Sequence, residues 1–472
     1  MKNKLLNIAI IIFSLLFLFY PLIYGLSSIK GIIIILLILI LTLKFIYPKL
    51  KKYVKIKEKY YIPIIVILFI VTRIISIFAL NNNILQISDF NSALEAAKTL
   101  EFQTLYYKNF VHWIFQPVVH HYLLGWFGIN QLSIMIFNTI LTLGVTIGIY
   151  KVTEYLTDNK STSFISALIY TLWPANIIYI GINTPEHIGS LLLIIATYFI
   201  LKIFKNNELE KGIIYSLLSG IILGLSVFFK NFALVFIIAF VIYIIMYFIK
   251  NKFKAKELRN FIIYLLIIIG SYSVVTNGMY NIADKLVGEE VNRSIAPCYM
   301  LVGLHSTGAG IYNPELYKTY FDTVEELGYE KGNKKVLEIL FDDIKENDKF
   351  LTLLDDKAVS LHSYDNRVDW VSQSALANES KVLYDFLKEE YQEVNDYYYL
   401  LVIILIIMSV FYLIKKKDIK ILFISLIIFG SSLLLLLVES QARYTYSLLP
   451  FYCVLATIGL VESNNIINKK YN

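Results

Sequence analysis

The sequence predicts an all-α polytopic membrane protein that crosses the bilayer with about twelve helices. Three features carry this. The 472 residues are 57% hydrophobic and only 17% charged, with a mean hydropathy of +0.63; a soluble globular chain averages about 45–50% apolar and about 25% charged. Runs of about 20 apolar residues recur, each long enough to cross about 30 Å of hydrocarbon, where only a helix or closed barrel satisfies its own backbone. The breaks between runs alternate in character: one set is rich in lysine, and the other carries isolated polar residues.

The runs fall at 5–23, 31–47, 62–80, 132–150, 163–180, 185–204, 213–229, 233–248, 261–277, 397–414, 421–438 and 444–460. Lysine and arginine collect in short cytoplasmic loops. With the N-terminus inside, the basic breaks at 49–59, 151–160, 202–211, 250–259 and 415–420 all fall inside, as do Lys469 and Lys470. The net charge of +7 is therefore a topology signal and does not point to nucleic acid. The first run, preceded by Lys2 and Lys4, is expected to be a retained anchor, because no small-residue cleavage site follows it. Cys298 and Cys453 are too few for a metal site and poorly placed for a disulfide.

Two long segments face outward on this topology. The first, 81–131, is rich in aromatics and is interrupted by Pro117; it is expected to form helices lying on the membrane surface. The second, 279–396, has helix-like patterning at 315–327, 334–344 and 381–393 and is expected to form a small, mostly helical extracytoplasmic subdomain. The chain divides accordingly: 1–60 holds two extra N-terminal helices and a basic loop, 61–278 a transmembrane core, 279–396 the outer subdomain, and 397–472 three closing helices.

The outward breaks hold Asp89, Glu186, Lys230, His305, Glu439 and Arg443. Residues spread over the whole chain are thereby gathered on one side of a membrane, which favours a shared site over six unrelated surface charges. Asp89 follows Ser88 just past the third run. A partly desolvated carboxylate there suits a general base, and a plain helix cap by Ser88 or Asp89 is the simpler alternative. Glu95 is a second acid, six positions on and so turned well away from Asp89 around the helix. Arg73 lies inside the third run, where arginine is costly and marks either a structural partner or a function. Lys230, flanked by Phe229 and Asn231, presents a cation at the rim or simply snorkels. Glu186 opens the sixth run and also suits a first-turn dipole contact. Arg443 offers bidentate contact to phosphate oxygens, with Glu439 either its partner or an acceptor for a sugar hydroxyl. His305 sits in a Gly-rich turn, 303–310. His112, His120 and His121 fit no zinc spacing and are expected at the surface or interface.

These residues resemble a family. Arg73 followed by Ser88-Asp89 and Glu95-Ala96-Ala97, Phe115-Gln116-Pro117 through Leu123-Leu124, Leu223-Gly224-Leu225 with Lys230, and Glu439 through Arg443-Tyr444 and Pro450 together resemble the GT-C fold membrane glycosyltransferases, in the broad group with dolichyl-phosphate-mannose protein mannosyltransferases. The stretch from Gly303 to Asn313 is similar to that family's turn after the ninth span. The first outer loop departs from the pattern in lacking an adjacent acidic pair, which leaves a second acid and a divalent cation open. The resemblance implies an inverting transfer of sugar from a polyprenyl-phosphate donor to an extracytoplasmic acceptor, at the cell membrane and without a required cofactor. Asp89 would be the base, Lys230, Arg443 and Arg73 would bind the donor phosphate, and Glu95, Glu186, His305, Glu439 and Tyr444 would bind substrate. A polymerase or ligase using lipid-diphosphate donors, and a lipid or solute transporter, are the alternatives.

Overall fold

The computed structural model describes residues 57–205, 208–250, 255–416 and 419–471. The first two expected spans lie outside the described residues. Among the described residues all regular structure is helical. Helix α1 spans Tyr61–Leu80. Its buried positions, Tyr61, Ile65, Phe69, Arg73, Ser76 and Leu80, recur every three or four residues and form one stripe. Ile67, Ile70, Val71, Ile74, Ile75 and Phe78 point outward, as they would toward lipid.

The first outer segment forms three short helices: α2 Ser88–Thr99, α3 Leu105–Asn109 and α4 Phe115–Leu124. Pro117 sits in the first turn of α4, where its missing N–H costs nothing. The end of α4 and the turn after it expose Tyr122, Leu123, Trp126 and Phe127, with Trp126 88% and Phe127 81% exposed, an aromatic belt suited to the headgroup layer.

Next come α5 Gln131–Thr157, α6 Lys160–Thr171 and α7 Pro174–Ile178. The expected span at 163–180 is not one helix. It breaks before Pro174 and bends by 66°, because proline opens a helix well but cannot continue one. Arg73 fills this break. Its Nη1 donates to the carbonyl of Thr171, the last residue of α6, at 2.6 Å, and its Nη2 to the carbonyl of Asn176 in α7 at 3.5 Å. Its guanidinium also lies 4.2 Å from the Phe69 ring centroid. Carbonyls orphaned at a helix end are thus satisfied where no water reaches.

The core continues with α8 Glu186–Lys205, α9 Leu209–Ser226, α10 Ala233–Lys250 and α11 Ala255–Val287. A stripe of small residues on α9 lets α11 approach closely: a Cβ on Gly220 would lie 2.5 Å from the Ile268 carbonyl oxygen. Helix α11 runs ten residues past the expected end at 277, into the segment expected to form the outer subdomain. That subdomain holds α12 Ala296–Leu304, α13 Pro314–Glu346, α14 Phe350–His362, α15 Arg367–Ala377 and α16 Lys381–Phe386. Gly328, with φ 74°, kinks α13 between the two expected helical pieces.

Three helices close the chain: α17 Gln392–Lys416, α18 Ile419–Leu437 and α19 Leu449–Tyr471, the last preceded by a tight helical turn, Ala442–Leu448. The Ala442–Glu462 span is central, with 89% of its apolar window buried. Eight described helices are long and apolar enough to cross a membrane, or nine if the bent pair counts as one span, and α10 is shorter. Each of the ten expected spans within the described residues has an apolar helical counterpart.

Candidate active site

Asp89 is the second residue of α2 and follows a strained backbone position. Ser88 holds φ 49°, a left-handed conformation that non-glycine residues rarely adopt. Neither Ser88 nor Asp89 caps the helix: the N-cap position is Ile87, and no side-chain cap bond forms. Hydrogen bonds from elsewhere hold the turn. Asn183 Nδ2 donates to the Phe90 carbonyl at 3.0 Å, Gln116 Nε2 donates to Asn183 Oδ1 at 2.8 Å, and the Asn183 amide donates to Gln86 Oε1 at 2.9 Å. Burial, and then the neighbouring Asp89 carboxylate, push the Tyr106 phenol well above its usual pKa. Tyr106 therefore keeps its proton beside the half-buried carboxylate.

Arg443 comes to the same place from the turn before α19. Three rings box its guanidinium: Trp370 at 4.7 Å, Phe90 at 4.9 Å and Tyr444 at 5.4 Å, centroid to Cζ. Arg443 Nε donates to Gln441 Oε1 at 2.7 Å. Lys230, in the turn between α9 and α10, lies 4.3 Å from the same Tyr444 ring. Its Nζ pairs with Glu186 Oε1 at 2.9 Å. Burial lowers the Lys230 pKa and Glu186 opposes that shift. Of its three N–H donors, one goes to Glu186, and the others meet no partner among the described residues.

Glu439 forms the third corner and is nearly buried. It accepts from the hydroxyls of Tyr317 and, at 3.3 Å, Tyr444, and from Gln441 Nε2 at 3.0 Å. Asp89, Glu186, Lys230, Glu439, Arg443 and Tyr444 are thus brought together, drawn from 355 residues of separation. Three expected residues are not. Glu95 is exposed and pairs with Lys98 at 2.8 Å. Arg73 is engaged at the α6–α7 break. His305 sits 3.7 Å from Asp343 in the outer subdomain.

Sequence reasoning missed several neighbours. Tyr106, Gln441, Trp370 and Tyr317 carry no signal beyond being aromatic or polar. His112 was read as interfacial, yet its pKa falls to about 3, first through burial and then through the nearby Lys230 and Arg443 cations, so its ring is neutral at the site. His120 is buried against Phe137, at 5.2 Å, rather than interfacial. Among the described residues no group of three His, Cys, Asp or Glu side chains is arranged to hold a metal ion.

The fold is that of a polytopic helical membrane protein, with a mixed-charge cluster where several of its helices begin or end. Residues 112–280 match the family model described as dolichyl-phosphate-mannose-protein mannosyltransferase, a segment that carries His112, Glu186 and Lys230. No curated protein matches the chain in sequence. Among solved structures, the apo oligosaccharyltransferase of Archaeoglobus fulgidus is similar at a TM-score of 0.50 and 11% identity, covering 88% of this chain and 52% of its own. This chain therefore spans about half the length of that protein. ArnT from Cupriavidus metallidurans bound to undecaprenyl phosphate aligns at a TM-score of 0.39 and 12% identity, covering 84% of this chain and 77% of its own. The chain is thus similar to GT-C fold membrane glycosyltransferases of the protein mannosyltransferase type.

Proposed function

We propose that the protein transfers a glycosyl group from a polyprenyl-phosphate-linked sugar to an extracytoplasmic acceptor, with inversion at the anomeric carbon. One observation carries the proposal: Lys230 and Arg443 share the Tyr444 ring, at 4.3 and 5.4 Å, and Arg443 also lies over the ring of Phe90, the residue that follows Asp89. Two cations thus stand together, and the Asp89 carboxylate is close enough to act on the charge of Arg443. A lipid-linked donor presents its phosphate at headgroup level, within reach of such cations.

The acceptor hydroxyl oxygen attacks the anomeric carbon as its proton passes to Asp89. The bond from that carbon to the phosphate oxygen breaks, and its electron pair leaves on the phosphate. Lys230 and Arg443 stabilise the negative charge as it develops, which is usually the larger effect in such preorganised sites. The base contributes about 10²–10⁴-fold. A paired-acid scheme is unnecessary, because a phosphate leaves without being protonated. On this reading Glu186, Glu439 and Tyr444 meet sugar hydroxyls, and Glu186 gives up part of its hold on Lys230 when the phosphate binds.

The test is transfer by purified protein in proteoliposomes, with polyprenyl-monophosphate and polyprenyl-diphosphate sugars as alternative donors. Turnover of the monophosphate alone supports the proposal. Turnover of the diphosphate alone selects a polymerase or ligase. Comparison of envelope glycans and glycoproteins by mass spectrometry, with and without the protein, identifies the sugar and the acceptor.

A further inference from the structure

The turn that carries Glu439, Gln441 and Arg443 is built over a buried lysine from another part of the chain. Lys357, on α14, is fully buried. Its Nζ donates to the carbonyls of Leu436 at 2.6 Å, Val438 at 2.6 Å and Gly303 at 2.8 Å. Two helix ends are gathered by one ammonium, since α18 stops at Leu437 and α12 at Leu304. Carbonyls at a helix C-terminus lack intrahelical partners and carry partial negative charge. A protonated amine has three N–H donors, and here three carbonyls receive them. Burial pulls this ammonium down to about 7 and Glu439 opposes that shift, so the carboxylate of the site feels the lysine.

The surrounding backbone is shaped to admit the lysine. Gly310 holds φ +71°, and a Cβ there would lie 2.5 Å from Lys357 Cδ. A Cβ on Gly303 would lie 2.3 Å from the Val438 carbonyl carbon. Two backbone bonds tie the turn to the same layer, Glu439 N to Tyr299 O at 2.9 Å and Ser440 N to Gly310 O at 2.7 Å. Lys357 lies on α14, whereas Glu439 precedes the central Ala442–Glu462 span and Arg443 stands at its start.

We infer that Lys357 is a positioning residue for the site: its ammonium fixes the 436–440 turn and so sets where Glu439 and Arg443 stand. For donor binding the inference rests on the function proposed above; for the geometry of the turn it does not. Two variants test it. Lys357→Met keeps the apolar stem and removes all three donors. Gly310→Ala displaces the stem and leaves the charge. Hydrogen exchange of the 436–443 amides reads the turn without reference to function, and both variants are expected to speed it at Glu439 and Ser440. Unchanged exchange in either folded variant overturns the inference. Binding of undecaprenyl phosphate in detergent reads the site. The expectation is a loss of about 10-fold in Lys357→Met, and turnover falling by up to about 10²-fold from the misplaced groups. The binding loss should vanish in an Arg443→Met background, where the group it positions is already gone. Full additivity with Arg443→Met also overturns the inference. Failure of the unaltered protein to bind undecaprenyl phosphate refutes the proposed function instead, and the exchange result then decides the positioning role alone.

Discussion

Arg443 lies over the ring of Phe90, 4.9 Å from its centroid, so a cation from the last span stands one residue from Asp89 in the first outer segment. The two positions are 354 residues apart in sequence. Their meeting turns scattered polar residues into one site, and it makes Asp89→Asn the first substitution to examine. That variant should insert and fold normally, since the amide keeps the shape of the carboxylate at a half-buried position. Transfer should fall by about 10²–10⁴-fold. Full activity in a correctly inserted Asp89→Asn protein would remove the carboxylate from the mechanism.

Lys230→Met leaves Glu186 nearly buried without its ammonium; their side chains are 13% and 5% exposed. Breaking a buried pair from one side costs about 3–5 kcal/mol. Both stability and donor affinity are expected to drop. The double variant Lys230→Met with Glu186→Gln should recover most of the stability and none of the affinity. Recovery of affinity would assign Lys230 to a structural pair only.

Arg73 is predicted to behave in the opposite way. Its guanidinium bonds the Thr171 and Asn176 carbonyls at the α6–α7 break rather than the cation cluster. Arg73→Met should lower the thermal midpoint and leave the donor KM of the surviving folded protein within about 2-fold, because distant sites act nearly independently. A selective rise in donor KM, with the midpoint unchanged, would return Arg73 to phosphate binding.

His112 gives a pH signature. Its folded pKa of about 3 lies below the 6.5 of the free side chain. Between those values the unfolded chain binds a proton that the folded protein does not, so stability falls as the pH drops from about 6.5 toward 3. At pH 5 this amounts to about 1–2 kcal/mol. Replacement by Asn should shrink the gap between unfolding midpoints at pH 7 and pH 5. An unchanged gap would show that His112 does not stay neutral.

The fold was largely legible because lipid imposes a length and a polarity on every span. Each of the ten expected spans in the described region has an apolar helical counterpart, the one at 163–180 bent at Pro174, and the polar breaks are where Glu186 pairs with Lys230 and Arg443 lies over Phe90. What escaped the sequence is of two kinds. The break at Pro174 is invisible to hydropathy, because both halves remain apolar and the polar group that mends it, Arg73, is about 100 residues away. Tyr106, Trp370 and Lys357 act through tertiary contacts whose partners have no fixed spacing from them. Lys357 in particular sits outside the helix-like pieces at 315–327, 334–344 and 381–393, and nothing local shows that its ammonium is buried under three carbonyls. Glu95 and His305 were drawn in by their place in the topology, and the structure engages them with Lys98 and Asp343 instead.

The most direct measurement is a high-resolution structure of the protein with undecaprenyl phosphate. The phosphate is predicted within hydrogen-bonding reach of Lys230 Nζ and the Arg443 guanidinium, with the Asp89 carboxylate facing the side from which an acceptor would enter. A phosphate bound elsewhere, with Lys230 still held by Glu186 and Arg443 still closed within its three rings, would contradict the account.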